Sequence, residues 1–137
     1  MPRKECIIVA RILLVDDSKF QRTINMRILA KAGYEVAVAG DGEEALALVS
    51  NEHPDLIVLD LLLPKMSGLD VIKALRQNVQ TASIPVMILS GLSERNGTKL
   101  LKEGATAYFE KSRLEGKTYE AEFLRITRTV LPEVRIG

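Results

Sequence analysis

Ile12-Leu13-Leu14-Val15-Asp16-Asp17 and Leu56-Ile57-Val58-Leu59-Asp60 are each an unbroken apolar run that stops on acid. A run with no polar residue on either face suits a strand covered on both sides, as in the centre of a parallel sheet. A third run, Ile84 to Leu89, ends in Ser90. Tyr34 to Ala39 contains Glu35, and Thr106 to Glu110 is short and mixed, so these two read as edge strands. Helical patterns fill the gaps. Ser18 caps a helix to about Ala32 closed by Gly33, with Phe20, Ile24 and Ile28 expected to face the sheet. Asp41, three residues before Glu44, starts a helix from Gly42 to about Ser50. Further helices fit Leu69 to Gln77, Glu94 to Glu103 and Thr118 to Val130. Five strand–helix pairs with central first, third and fourth strands predict a doubly wound parallel α/β sheet of order 2-1-3-4-5.

In such sheets ligands bind outside the carboxyl ends of the strands, where the strand order reverses. That point lies between strands one and three, so Asp16, Asp17 and Asp60 are expected to converge there. Clustered carboxylates repel, and a hard divalent ion with oxygen ligands relieves this; Mg2+ uses a few carboxylates plus waters and phosphate oxygens. Ser90 ends strand four and Lys111 follows strand five. An acid cluster, a hydroxyl and an ammonium suit a phosphoryl group.

The bulk composition narrows the field. The chain has 137 residues with 19 basic and 18 acidic side chains, a net charge of +1. This length suits one domain, and the charge balance gives no bulk attraction to nucleic acid or acidic membranes. Cys6 is the single cysteine, read as a reduced thiol of a cytoplasmic protein. The apolar stretch from Cys6 to Val15 is broken by Arg11 and is too short to span a bilayer. Residues 1–10 read as an N-terminal extension, 11–131 as the folded domain and 132–137 as a tail with no output module.

The combination Leu14-Val15-Asp16-Asp17-Ser18, Pro54 to Asp60, Pro64 with Gly68, Pro85 with Ser90, and Gly104-Ala105 leading to Tyr108 and Lys111 resembles the receiver domain of bacterial two-component response regulators, chemotaxis-type, from about Arg11 to Val130. The resemblance implies a flavodoxin-like fold and a phosphorelay function without enzyme turnover of a separate substrate. Asp60 would take a phosphoryl group from a phosphohistidine on a histidine kinase or histidine phosphotransfer protein. Asp17 would ligate Mg2+ directly, Asp16 largely through water, and the Leu62 backbone carbonyl would be a further ligand. Lys111 would pair with the phosphoryl group, Ser90 would hydrogen-bond it, and Tyr108 would turn inward. The face made by helix four, strand five and helix five would then change for a downstream protein target, or for a homodimer through helices four and five.

Some positions depart from that pattern. Ser112 follows Lys111 where proline with a cis peptide is usual, so the reach of Lys111 differs in expectation from that of the aspartates. Leu62 and Leu92 flank the site and cannot position a water, which predicts slow self-dephosphorylation. A phosphorylation-independent pseudo-receiver scaffold remains the alternative, and Ser112 is its one support. A haloacid-dehalogenase-type phosphatase needs a second acid where Leu62 stands. A flavin module needs phosphate donors where Asp16 and Asp17 stand. His53 reads as a turn residue, Arg22, Arg27 and Lys31 as a solvated or kinase-docking face, and Tyr119 and Phe123 as core or interface anchors.

Overall fold

A computed structural model describes residues 9–91, 99–110 and 115–131. Its strands are β1 (Arg11–Val15), β2 (Glu35–Ala39), β3 (Leu56–Asp60), β4 (Val86–Ser90) and β5 (Ala107–Glu110). Its helices are α1 (Lys19–Lys31), α2 (Gly42–Glu52), α3 (Gly68–Gln77), the described helical residues 99–102 as α4, and α5 (Gly116–Val130). All strand pairs are parallel, in the order β2-β1-β3-β4-β5. The expected doubly wound topology is therefore the observed one. Every residue of β3 and β4 is buried, whereas β2 and β5 are mixed, because the latter form the edges.

Strand alternation divides the core into two layers. Leu13, Val15, Ile57, Leu59, Val86 and Ile88 point to the side of α2, α3 and α4, meeting Ala45, Val49, Val71, Ile72, Leu75 and Leu100. Ile12, Leu14, Leu56, Val58, Met87, Leu89 and Phe109 point to the other side, where Leu29 of α1 and Phe123 of α5 cover them.

The helix starts follow their caps. The Ser18 hydroxyl accepts from Gln21 N (3.3 Å), and the Asp41 carboxylate accepts from Glu44 N (2.8 Å). The Glu44 carboxylate accepts from Gly40 N (2.6 Å), one residue outside the usual capping-box partner. Asp41 also pairs with Lys65 at 3.6 Å. The Glu44 amide, with help from Lys65, holds the Asp41 carboxyl below its usual pKa. A depressed carboxyl contributes stability above its unfolded pKa, and that contribution is lost as pH falls through the lower folded value. The α1 expectation is corrected: Phe20 is 73% exposed, Ile24 and Ile28 are half-buried, and Asn25 and Leu29 are the buried residues. The core lies about 100° round the helix from the Phe20–Ile24 edge, since residues turn about 100° each.

Arg76 ties the far end of α3 to its surroundings. Its Nε and Nη2 donate to the Gly104 carbonyl (3.0 and 2.8 Å), and Nη1 donates to Ala82 and Ile84 carbonyls (3.1 and 2.7 Å). Partial burial holds its pKa below the ordinary arginine value. Gly104, at φ 120°, leaves the space this needs, because a Cβ there would meet Arg76 Cγ at 3.0 Å. His53 is the αL C-cap of α2 (φ 48°), at the amino end of the strands and away from the acid cluster, as the turn expectation had it.

Candidate phosphoacceptor and metal site

The ends of β1 and β3 bring three acids together. Asp16, Asp17 and Asp60 each offer a carboxylate oxygen, and all three oxygens lie within 4.8 Å of one another. Asp16 is 1% exposed and Asp60 9%, while Asp17 is exposed. Two like charges at this spacing repel by about 3 kcal/mol at an effective dielectric of about 20. Hard oxygen donors, excess negative charge and one open side fit a small divalent cation with waters completing its shell.

The backbone holds the acids in place. Asp16 N donates to the Ala39 carbonyl (3.1 Å), which continues the β1–β2 ladder one residue past β1. Asp16 Oδ1 accepts from Ser18 N (2.9 Å), so the residue that caps α1 also orients Asp16. Asp60 Oδ1 accepts from Leu62 N (3.2 Å), which turns the chain sharply after β3. Leu62, two residues after Asp60, is 66% exposed. Ser90 ends β4, is 1% exposed and is the Cα partner of Glu110, the last residue of β5. Tyr108 is half-buried against the α2–α3 layer and pairs with Ile88, two residues before Ser90. By alternation Ser90 and Tyr108 share one face of the sheet. Lys111, Ser112, Leu92 and Cys6 lie outside the described residues.

Arg22 was expected on a solvated or docking face. It is instead half-buried, and its Nη1 donates to the Asp16 carbonyl (2.9 Å). The fourth helical residue after the Ser18 cap reaches back over the loop, and this was readable only once the cap was located.

Gly68 starts α3 directly against the acid-bearing strand. Its N–H donates to the Leu61 carbonyl (2.9 Å), and a Cβ would stand 2.9 Å from Leu61 Cα and 3.0 Å from the Asp60 carbonyl oxygen. These neighbours are backbone and do not swing away. Gly68→Ala is expected to destabilise by about 1–3 kcal/mol, the usual range for overpacking, and to weaken Mg2+ binding by displacing the Leu61–Leu62 turn. Urea melts and a Mg2+ titration check it; unchanged values in both would show that α3 slides freely.

The family model of the response regulator receiver domain matches residues 12–120, and the chain belongs to that family. It is 43% identical over 102 residues to the alkaline phosphatase synthesis transcriptional regulatory protein PhoP of Bacillus subtilis, covering 74% of this chain and 42% of that regulator. The chain thus spans less than half the length of that relative. Its fold is similar to that of Vibrio cholerae chemotaxis protein CheY4, with a TM-score of 0.81 and 32% identity over 90% of this chain and all of that one. The receiver domain of the sensor histidine kinase PA1611 from Pseudomonas aeruginosa, solved with magnesium ion coordinated in its active-site cleft, matches the fold with a TM-score of 0.78 and 24% identity over 90% of this chain and 98% of that one. Among the described residues no helix is long and apolar enough to cross a membrane.

Proposed function

We propose that the chain is a phosphoacceptor signalling domain in a two-component phosphorelay, with Asp60 as the acceptor. The convergence of Asp16, Asp17 and Asp60 within 4.8 Å is the observation that carries this function. An Asp60 carboxylate oxygen attacks the phosphorus of a phosphohistidine on a histidine kinase or histidine phosphotransfer protein. A P–O bond forms, the P–N bond breaks, and the imidazole keeps the electron pair and gains a proton. Asp16, Asp17, Asp60 and the Leu62 carbonyl would hold Mg2+, which would supply positive charge to offset that of the phosphoryl oxygens. Ser90 donates its hydroxyl to the new phosphoryl group, with Lys111 assigned to a second oxygen from the sequence pattern. Tyr108 then moves, and the face of α4, β5 and α5 presents a changed surface to a downstream protein or a second copy. The chain works in the cytoplasm without turning over a separate substrate, and without contacting nucleic acid or membrane itself.

Acetyl phosphate with Mg2+ tests this by intact mass. The expected result is a gain of one phosphoryl group that chelation prevents. A folded protein that takes none and binds no Mg2+ is the phosphorylation-independent scaffold instead.

Leu62 sets the lifetime of that phosphoryl group. An apolar side chain beside Asp60 holds no water in line for attack, so Leu62→Asn is expected to shorten the phosphoryl half-life several-fold, since one positioned water contact contributes about 1 kcal/mol. Loss of radiolabel with time reads this directly, and equal half-lives would remove Leu62 from the account.

A further inference from the structure

The layer between the sheet and helices α1 and α5 is mostly apolar, and its fully buried helix residues include two polar ones: Thr127, whose hydroxyl donates to the Phe123 carbonyl (2.7 Å), and Asn25. Asn25 on α1 is 0% exposed. Its Oδ1 accepts a hydrogen bond from the Tyr119 hydroxyl of α5 at 2.9 Å. Its Nδ2, equally buried, has no hydrogen-bond partner in the protein. Tyr119 in turn packs on Phe109 and Phe123, with ring centroids 5.4 and 5.9 Å away. A buried amide with its acceptor used and its donor unspent lowers stability relative to an apolar residue of the same shape. A residue that costs stability in a core is a candidate for serving something else.

Asp16 lies on the same side. Ile12 and Leu14 of β1 point into this layer, and the ladder runs on through Asp16 N to the Ala39 carbonyl, so alternation gives Asp16 the same parity. Burial pushes the Tyr119 hydroxyl up to about 12 against the opposing effect of its bond to Asn25, and the Asp16 charge adds a smaller push in the same upward direction. Tyr119 is therefore a neutral donor at physiological pH, and one buried region contains Asn25, Tyr119 and the negative charge of Asp16.

We propose that Asn25, held in orientation by Tyr119, is a positioning residue for the cation site, its amide donor steadying the Asp16 carboxylate, directly or through one bound water, as Asp16 turns toward Mg2+. This rests on the metal assignment made under the proposed function. Side chains behind the ligands of a metal orient them, and removing one such partner commonly weakens metal binding by about 10- to 100-fold.

The decisive variant replaces both partners, Asn25→Leu with Tyr119→Phe, so that neither leaves the other unpaired. Calorimetric Mg2+ titration and thermal melts in chelator are the readouts. The double variant is expected to melt at or above the wild type without Mg2+, yet to bind Mg2+ about tenfold more weakly. A purely structural pair cannot give higher stability with weaker metal binding. Double-variant Mg2+ affinity within twofold of the wild type overturns the proposal. If the double variant does not fold, Tyr119→Phe alone decides, because it keeps every ring contact; a Mg2+ affinity within twofold of the wild type again overturns it. A wild type that binds no Mg2+ removes the metal assignment as well, whereas one that binds and is matched by the variants removes only the role of Asn25.

Discussion

Asp60→Asn is expected to gain no mass from acetyl phosphate and Mg2+, and to melt higher than the wild type in chelator. The first effect is chemical: an amide has no carboxylate oxygen with which to attack phosphorus, and the neighbouring Asp16 and Asp17 carboxylates are assigned to the cation. The second is electrostatic. Asp60 is 9% exposed and shares a 4.8 Å cluster with two other carboxylates, so their mutual repulsion is poorly screened. Asparagine keeps an oxygen for the Leu62 amide, now accepted at 3.2 Å by Asp60 Oδ1, while removing one charge of the three. A gain of about 1–2 kcal/mol, or several degrees in melting temperature, follows from removing part of that repulsion. Mg2+ should raise the melting temperature of the wild type more than that of the variant, because stabilisation by a ligand grows with its affinity for the folded form. A variant that still gains a phosphoryl group would place the acceptor elsewhere.

Phe123→Ala is expected to cost about 3–5 kcal/mol, the range for emptying a buried aromatic site. Phe123 is 0% exposed and stands between α5 and the sheet. Its ring lies nearly parallel to that of Phe109, at 6.1 Å and 10°, and 5.9 Å from that of Tyr119. Alanine leaves a void that three packed elements cannot all close. For a chain of this length the loss corresponds to roughly 10–20 °C in melting temperature, a large part of the usual 5–15 kcal/mol of total stability. Phe123→Leu, which refills much of the volume, should recover most of it. Equal melting of Phe123→Ala and wild type would mean that α5 contributes little to the core.

Most of the fold and its acid cluster were legible because they depend on local signals. Apolar runs mark buried parallel strands, Glu35 marks an edge, and Ser18 and Asp41 announce helix starts. The inward face of α1 was not legible. Spacing by four from Phe20 through Ile24 to Ile28 describes a stripe, but Asn25 faces inward because Tyr119, 94 residues away in the chain, supplies its hydrogen bond. No window of neighbouring residues contains that partner. Arg22 was misplaced for a related reason: its target is a backbone carbonyl, which no side-chain pattern records. Gly68 was recognised as part of a family motif, while its physical role, contact with the backbone of Leu61, emerged only in three dimensions. The helix α3 cap was also unread: Ser67 accepts from Asp70 N at 3.2 Å. The last helix, expected from Thr118, begins at Gly116 without a side-chain cap at Glu115.

The order in which the core closes has a consequence for synthesis. The α2–α3 side of the sheet is assembled from segments that follow one another closely along the chain. The opposite side is closed by α1, made early, and by α5, which follows every strand. A ribosome therefore exposes Ile12, Leu14, Val58 and Leu89 in turn, with their cover incomplete until Phe123 emerges. During that interval the nascent chain presents a sticky apolar plate, and a chaperone able to shield it would raise the yield of folded protein.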